Sequence, residues 1–477
     1  MAVTCIRRAS WVVAWDAAND RHAYLRDADV AFDAEGLLHV GADYRGHVDV
    51  ELDGRERLVL PGLVDVHCHP SAQAIFRGFT EEFGNPRLFY SDRHHFRQSF
   101  ELDVDGMRAS ARFTIAELLA GGVTTLVDLS HAYEGWIDLL AETGARAVVA
   151  PMYRSATWYT DTGQATLYEW HPDGGGAAFE EARAVMDAAE AHPSGLLSAM
   201  VSPAQVDTCT EDLLVRSAEL ARATGRPLHV HASQSYAEFQ GMTRRHATTP
   251  IAYLERLGFL GTRTILGHAV FTDEHPWLQW PTRTDLATLA RTGTAVAHAP
   301  TVFARDGTLL HDLGSYARAG VRFGIGTDTH PHSMLEELRV AEVLARVASG
   351  PRHAFGTAAV FHAATVGGAR ALGRDDLGKL AVGARSDVVV VDLEHPSMEP
   401  CRDPLRSLIY AAAERPITHV FVAGRLLVEH GRVLSVDRAA AARALRAAQK
   451  RAAARVPEAD PAGRSVDAIA PLSLPPL

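Results

Sequence analysis

Lysine is almost absent from this chain of 477 residues, and its absence excludes several kinds of catalytic site. Only Lys379 and Lys450 occur, so arginine carries nearly all of the positive charge. A Schiff-base lysine, the lysine of a phosphate-binding loop and a carboxylated lysine that bridges two metal ions are therefore excluded within residues 1–378.

Cysteine is also scarce, and no segment resembles a membrane anchor. The four cysteines, Cys5, Cys68, Cys209 and Cys401, are widely spaced and form neither a CxxC pair nor a disulfide framework. A reducing compartment fits this usage, and we expect a cytoplasmic protein. We find no signal-peptide core and no apolar run long enough to span a bilayer, so we expect no membrane partner.

Basic charge is in deficit as well. The formal net charge of -11 argues against nucleic acid as a partner, because binding of phosphates needs a basic face. Hydrophobic residues make up 47% of the chain and charged residues 22%, a composition typical of globular proteins.

Apolar runs alternate with amphipathic helical stretches from about residue 58 to residue 372. This alternation is typical of βαβ units and a parallel sheet. The predicted strands are 63–69, 122–128, 146–150, 196–201, 228–232, 264–268, 294–298 and 321–328. Eight such strands predict an α/β fold in the form of a (β/α)8 TIM barrel with inserted loops.

The two ends of the chain contain further β-like segments, which predict a small β-sandwich formed by both chain ends. We expect residues 1–60 and 377–440 to form this composite domain and residues 61–376 to form the barrel. Residues 441–477 are predicted to be a C-terminal helix, exposed to solvent, followed by a proline-rich tail. This tail could serve as a subunit contact, and we expect a homo-oligomer, most simply a dimer.

Polar residues lie at the ends of the predicted strands. His67 and His69 close the first strand, and because side chains alternate along a strand, both imidazoles point to the same side, about 7 Å apart. Four later strands end in His231, His268, His298 and Asp328. Ligands at the carboxyl ends of several strands are what a metalloenzyme on a barrel requires, and imidazole nitrogens suit zinc and iron(II).

Individual residues in this pattern differ in their expected roles. Asp328 is the leading catalytic candidate, because a carboxylate beside metal-bound water can be both a ligand and a proton acceptor. In the pair His229 and His231 we assign the ligand to His231, which is nearer the carboxyl end of the strand, and expect His229 to be buried behind it. His298 is expected to contact the substrate or the bound water. The loop histidines His94, His95, His330 and His332 are expected on the solvated surface.

Longer motifs carry a resemblance to a known family. The stretch PGLVDVHCH at residues 61–69 resembles the family motif PGLVxxHxH, and GIGTD at residues 324–328 resembles its final GTD. Residues 377–387 resemble a GxLxxGxxAD turn. On these motifs the chain resembles the amidohydrolase superfamily, in the branch of cytosine deaminase, S-adenosylhomocysteine deaminase, guanine deaminase and the triazine chlorohydrolases.

The resemblance implies a complete site for one divalent metal ion, with zinc favoured over iron. The implied ligands are His67, His69, His231 and Asp328. His268 lies close by and is implied to orient the water or polarise the substrate, which makes it a second catalytic residue beside Asp328. The scarcity of lysine agrees, since members with a lysine-bridged metal pair are excluded.

Two departures from the deaminase pattern bear on the activity. Gln234 stands where deaminases of this branch have a glutamate that shuttles a proton, and an amide cannot exchange protons. His298 opens HAPTVF where the deaminase pattern is HNPxSN. Imidazolonepropionases of the same superfamily have a pattern similar to HAxQ at residues 231–234, and their final motif is similar to residues 327–331.

The function expected from the sequence is therefore that of a mononuclear metal-dependent hydrolase of a C–N bond in a small nitrogen heterocycle or cyclic amide. Gln234 and His298 are the predicted substrate-binding residues, and the loop 72–100, with Phe76, Phe83, Phe89 and Tyr90, is expected to shape the pocket. The alternatives are a heterocycle deaminase, a triazine-type chlorohydrolase and a catalytically silent metal-binding protein.

Overall fold

The fold is that of a computed structural model, which describes residues 2–83, 99–160, 166–310, 313–350, 355–460 and 462–475. The predicted pocket residues Phe89 and Tyr90 and the loop histidines His94 and His95 lie outside these ranges. Within them, no helix combines the length and the apolar character needed to cross a membrane.

Seven short strands form the N-terminal part of the chain. They are β1 (Thr4–Ala9), β2 (Trp11–Asp16), β3 (Arg21–Leu25), β4 (Ala28–Phe32), β5 (Leu37–Gly41), β6 (Val50–Asp53) and β7 (Arg57–Pro61). Four of them make a sheet in the order β5-β4-β1-β6, and the other three join strands from the far end of the chain.

The central part alternates strands with helices. Its strands are β8 (Leu63–Cys68), β9 (Val123–Ser130), β10 (Arg146–Tyr153), the hairpin β11 (Ala156–Tyr159) and β12 (Leu167–Trp170), β13 (Leu197–Ala199), β14 (Ser202–Pro203), β15 (Leu228–Ala232), β16 (Thr264–His268), β17 (Ala295–His298) and β18 (Arg322–Ile325). Its helices are α1 (Val104–Ala120), α2 (Trp136–Thr143), α3 (Gly176–Glu190), α4 (Glu211–Thr224), α5 (Tyr236–His246), α6 (Pro250–Arg256), α7 (Asp285–Thr292), α8 (Pro300–Arg305), α9 (Leu313–Ala319), α10 (Met334–Ser349), α11 (Thr357–His362) and α12 (Gly368–Ala371). The 3₁₀ turn Ala74–Phe76 follows β8, and a π-helical segment, Ala363–Gly367, lies between α11 and α12.

Two parallel sheets contain the predicted strands, which confirms the α/β class. One has the order β13-β10-β9-β8 with β14 beside β10, and the other has the order β15-β16-β17-β18. Isolated parallel bridges connect Cys68 to Asp328 and Val201 to Leu228, at the outer strands of the two sheets. A buried cluster that includes Val66, Val127 and Ile265 unites strands of both sheets, which explains their near-continuous apolar sequences.

Strands from both ends of the chain share one sheet. The C-terminal strands are β19 (Val388–Asp392), β20 (Ile417–Val422), β21 (Arg425–Glu429) and β22 (Arg432–Val433), and the seven-stranded sheet has the order β22-β21-β20-β19-β7-β2-β3. Between β19 and β20 lie a 3₁₀ turn (Pro396–Met398), α13 (Pro404–Ser407) and a π-helical segment (Leu408–Ala412). Phe32 of the four-stranded sheet packs with Val59, Val390 and Phe421 of this sheet, so the two sheets share one core.

The C-terminal helix differs from its prediction. Helix α14 (Arg438–Ala459), which precedes the short α15 (Val466–Ile469), buries Leu445, Ala448, Ala452 and Val456 on one face. These side chains pack with Ile75, Phe76 and Phe100, and the amide of Gln449 donates to the carbonyl oxygens of Ile75 and Arg77 at 2.7 and 2.9 Å. The expectation of an exposed helix was wrong, because alanines at helical spacing bury a face that composition alone does not mark as apolar.

Candidate active site

Five of the predicted residues converge at the carboxyl ends of the strands that carry them or immediately beyond those ends. Nε2 of His69 lies 3.3 Å from Nε2 of His231 and 3.3 Å from Oδ1 of Asp328. Nε2 of His67 lies 3.7 Å from the same carboxylate oxygen, and Nε2 of His268 lies 3.9 Å from Oδ2. The structure thus brings together the predicted ligand set and the predicted neighbour His268.

The Nδ1 atoms of the three predicted histidine ligands, His67, His69 and His231, have partners on the far side of each ring. Nδ1 of His69 donates to the carbonyl oxygen of Leu129 and Nδ1 of His231 to that of Ala204, both at 2.6 Å. Nδ1 of His67 lies 3.0 Å from Nε2 of His229, as expected for a histidine buried behind the ligands. When Nδ1 carries the proton, each Nε2 offers its lone pair to the cluster, which is the tautomer that metal ligation needs.

The spacing of these atoms fits a metal ion. Nε2 of His67 is buried and has no hydrogen-bond partner among the described residues. Two ligand atoms about 2.1 Å from a tetrahedral zinc ion are about 3.4 Å apart, and the observed separations of 3.3 to 3.7 Å are close to that value. Two overlapping groups, His67-His69-Asp328 and His67-His231-His268, each have ligand atoms within 4.8 Å of one another.

Burial and neighbouring charges set the protonation states of the cluster. Burial holds the pKa of His67 and His231 well below the usual value and lowers that of His268 to about 4. Burial alone would raise the pKa of Asp328, but the hydrogen bond with His69 and the charges of the surrounding histidines outweigh it and hold that pKa below its usual range. Neutral imidazoles around an ionised carboxylate are the forms that bind a cation.

The backbone at two of these residues is unusual. His268 has φ of 84° and Asp328 has φ of 54°, in the left-handed region that side chains other than glycine seldom adopt. His268 ends β16, and Asp328 lies three residues after β18. At both positions the left-handed backbone turns the chain at the carboxyl end of a parallel strand, where the metal-binding side chains meet. Strain of this kind is often found at functional sites, because the surrounding fold must hold it.

A glycine makes room for the rings. A Cβ atom on Gly267 would lie 2.9 Å from Cε1 of His67 and 3.1 Å from both Cε1 and Nε2 of His229. Contacts this short require the rings to shift, and both rings are fully buried. Gly267 therefore leaves space for two rings that belong to other strands, His67 of β8 and His229 of β15. Sequence analysis did not identify this role.

Two buried carboxylates support the cluster from behind. Asp65 accepts from the backbone N–H of His67 at 3.0 Å and from the hydroxyl of Thr327 at 2.7 Å, which links the strand ends that carry His67 and Asp328. Asp128 accepts from Nε1 of Trp136 at 2.8 Å, and burial raises its pKa to about 6. Sequence analysis missed both roles, although each aspartate is a polar residue inside an apolar strand.

The cluster opens onto a cavity of about 490 Å³, within the usual range for small-molecule sites. His69, His231, His268 and Asp328 line its floor, and Phe76, Phe100, Met107, Trp158 and Phe303 are among its apolar walls. The predicted pocket residue Phe76 lies on this wall, while Phe83 packs in the cluster beside the C-terminal helix. A flat ring held against such walls can reach the metal-binding side chains.

Gln234 lines the same cavity. Its side-chain Nε2 is buried and has no hydrogen-bond partner among the described residues, so an amide donor is available to a bound molecule. The turn that presents it is fixed by the buried carboxylate of Glu238, which accepts from the backbone N–H groups of Ser233 and Gln234 at 2.6 and 3.0 Å. Burial raises the pKa of Glu238 well above its usual value.

Three other histidines are not among the residues that line the large cavity. His298 borders a small separate cavity with Pro300 and Leu313 and is not among the residues that line the large one, so its predicted contact with substrate stays a prediction. His330 and His332 are buried, which corrects their prediction as surface residues. The two ring nitrogens of His330 face acceptors, the carbonyl oxygen of Gln73 at 3.1 Å and the carboxylate of Glu81 at 3.0 Å, because its loop packs against the segment that follows β8.

Comparisons with known proteins agree with this geometry. The profile of the amidohydrolase family matches residues 58–427. The chain belongs to the amidohydrolase family. The predicted family is thus confirmed, and with it the enzyme class, a hydrolase of carbon–nitrogen bonds other than peptide bonds.

Several proteins named as deaminases are similar to this chain over most of its length. A 5-methylthioadenosine/S-adenosylhomocysteine deaminase of Natronomonas pharaonis is 29% identical, with 88% of this chain and 92% of the relative covered. A 5'-deoxyadenosine deaminase of Methanosarcina acetivorans is 24% identical, with 87% and 90% covered.

Solved structures give the same result. An adenosine deaminase from Xanthomonas campestris with bound zinc superposes with a TM-score of 0.81 at 25% identity, covering 94% of this chain and 98% of that one. An atrazine chlorohydrolase from Arthrobacter aurescens complexed with zinc has a TM-score of 0.79 at 25% identity, covering 94% and 100%. This amidohydrolase therefore has the fold of zinc-containing relatives, and its own histidine-rich site is suited to a divalent metal.

Proposed function

We propose that this amidohydrolase uses one divalent metal ion, zinc rather than iron, to hydrolyse a C–N bond of a small nitrogen heterocycle. The observation that carries the proposal is the convergence of four ligand side chains, with their Nε2 and carboxylate atoms 3.3 to 3.7 Å apart, beside a cavity that three of them line. His67, His69, His231 and Asp328 would hold the ion. Such an ion lowers the pKa of bound water and so supplies a nucleophile near neutral pH.

The chain's own residues perform the proton transfers in this proposal. Asp328 accepts the proton of the attacking water, since its pKa is held low and it is ionised at neutral pH. It then delivers the proton to the leaving nitrogen. His268 is neutral at that pH and faces both Asp328 and the cavity, a position that supports hydrogen bonding to the group under attack.

Ring opening of a cyclic amide is the outcome that Gln234 favours. Its amide can donate to a substrate carbonyl or ring nitrogen but cannot carry a proton. Apart from Asp328, the carboxylate among the described residues that line the cavity is Glu101, which is exposed to solvent. A second carboxylate near the metal ligands, as deaminases of this branch use, is therefore not among the described lining residues.

Deamination is the second candidate, because the similar proteins from Natronomonas and Methanosarcina are named deaminases. In that case Asp328 carries both proton transfers. Ammonia is released in deamination, whereas ring absorbance is lost without ammonia in ring opening of a cyclic amide. The two outcomes therefore separate in a single assay.

The deciding experiment is a panel of amino-substituted heterocycles and cyclic amides, with ammonia and ring absorbance followed in parallel on the zinc-loaded protein. Asp328→Asn is the matched variant, because the amide keeps the shape and removes the proton acceptor. We expect it to lose at least about 10²-fold in kcat. Absence of turnover across the panel, or equal turnover by Asp328→Asn, would contradict the proposal.

We further propose the domain division expected from the sequence, with a closed eight-stranded barrel over residues 61–376, a sandwich formed by residues 1–60 and 377–440, and a C-terminal segment 441–477. The bridges between the outer strands and the sheet shared by both chain ends support it. A cytoplasmic dimer completes the proposal. The exposure of Leu472 and Leu474 in the tail supports the dimer, and light scattering of the full chain tests it.

A further inference from the structure

The side chain of one arginine on the cavity wall has no partner. Arg154 follows β10 and lines the large cavity, and it makes no hydrogen bond or ion pair with any residue in the described part of the chain. Burial lowers the pKa of Arg154 from its usual value, because the charged guanidinium is poorly solvated there. An unpaired, partly buried guanidinium is costly unless a ligand completes its hydrogen bonds.

Two arginines that are more deeply buried than Arg154 are paired. Arg146 makes two hydrogen bonds to Asp387 at 3.0 and 3.1 Å. Arg226 contacts Asp187 at 2.6 Å and Glu190 at 2.7 Å. The chain therefore supplies carboxylates to arginines whose role is structural, and Arg154 differs from them in facing a cavity.

Arg154 is within reach of a molecule that also contacts the metal-binding side chains. Arg154 lines the same cavity as His69, His231 and Asp328, and His131 lines it as well. Nδ1 of His131 donates to the carbonyl oxygen of Met152 at 3.1 Å, which fixes the ring on the cavity wall. Thr157 and Gln205 line the same side and give it a polar character.

We propose that Arg154 determines substrate specificity by binding a carboxylate substituent on the heterocycle. This inference rests on the proposed function, because it names the substrate class of the same cavity. The planar guanidinium matches a carboxylate with two parallel hydrogen bonds. A phosphate fits less well, since the described lining offers one permanent cation and already contains the negative charges of Asp328 and Glu101.

The test compares heterocycles that differ in one substituent. Aminopyrimidine and purine carboxylates are paired with their carboxamides, and a phosphorylated member is added to each set. For the wild type we expect kcat/KM to favour the carboxylate by about 10- to 100-fold, the effect of a hydrogen bond to a charged group. In Arg154→Met this preference should fall to about 1 through KM, and Arg154→Lys should retain part of it.

Arg45→Met is the control, because it removes an exposed guanidinium that does not line the cavity. It should leave the substrate preference unchanged. The melting temperature of Arg154→Met should be unchanged or higher, since the substitution removes a buried charge without a partner. A clear loss of stability would indicate a structural role and overturn the inference.

A binding measurement separates this inference from the proposed function. Pyridine-3-carboxylate and pyridine-3-carboxamide are titrated into the zinc-loaded protein, with the fluorescence of Trp158 in the cavity wall as one reporter. We expect tighter binding of the carboxylate to the wild type and the loss of that difference in Arg154→Met, even if no heterocycle is hydrolysed. Equal binding of the two probes to the wild type, a preference unaltered in Arg154→Met, or a preference for the phosphorylated substrates would each overturn it.

Discussion

Gly267 offers a direct test of the metal site that leaves every ligand in place. In Gly267→Ala the new Cβ would lie 2.9 Å from Cε1 of His67. Carbon atoms in ordinary contact are about 3.5 to 4.0 Å apart, so the ring must move by roughly 0.6 Å or more. A metal site tolerates about 0.2 Å of error in ligand distances. The displacement therefore exceeds the tolerance about threefold.

We expect Gly267→Ala to lower zinc affinity by about 10- to 100-fold, the range seen when the groups that orient metal ligands are altered. Gly261→Ala is the matched control, because a Cβ there meets nothing within 4 Å and the residue lies six positions earlier in the chain. Zinc affinity is measured by competition with a chromophoric chelator, and unfolding of the metal-free proteins is followed by circular dichroism. Overpacking alone would lower the stability of the metal-free variant by about 1 to 3 kcal/mol.

The reasoning would be refuted by a Gly267→Ala protein that binds zinc as tightly as the wild type and retains its activity. That result would mean that the ring of His67 can relax, although it is fully buried and held by His229. A loss of stability without a loss of zinc affinity would also refute the reasoning, because the added methyl group would then disturb packing but not the metal ligands. Either outcome is visible because affinity and stability are measured on the same proteins.

Three further predictions concern the metal, the substrate and the pH dependence of stability. The active protein should contain one metal ion per chain, and His69→Ala should lose both metal and activity; elemental analysis that finds two tightly held ions would contradict this. Gln234→Glu should lower activity in a ring-opening enzyme, because it buries a second carboxylate near Asp328, and a rise in ammonia release would instead favour deamination. Burial raises the pKa of Asp285 to about 7, above its unfolded value, so its contribution to stability is fully present below about pH 4 and is lost as the pH rises through about 7. Asp285→Asn should therefore flatten the stability profile between about pH 4 and pH 7 in chemical unfolding, and an unchanged slope would reject this cause.

The strand-end residues were predictable from the sequence because parallel strands impose a simple rule. Their carboxyl ends meet at one edge, so a histidine or aspartate that closes an apolar run lies near the others that do so. His67, His231 and Asp328 follow this rule. The register also predicted that His229, two residues before His231, would be buried behind it, and it lies 3.0 Å from Nδ1 of His67.

Features that depend on contacts between distant segments were not predictable in this way. Helix α14 is rich in alanine and arginine. Only the packing of Ala448 and Ala452 against Ile75 and Phe76, in the segment that follows β8, shows which face of the helix is buried. His330 follows a strand in sequence like a surface residue, yet its loop returns to Gln73 and Glu81. Gly267 is required by rings on two other strands, and no local pattern contains that requirement.

Gln234 connects the fold to the choice of substrate. The carboxylate of Glu238 holds the turn that places the amide of Gln234 in the cavity, where its Nε2 has no partner among the described residues. A buried donor without an acceptor costs about 1 to 3 kcal/mol, so the bound substrate is the natural source of that acceptor. Arg154 imposes the same demand on another part of the cavity. A heterocycle with an acceptor at the ring and a carboxylate as substituent satisfies both, whereas a neutral ring leaves the guanidinium unpaired and is disfavoured for that reason.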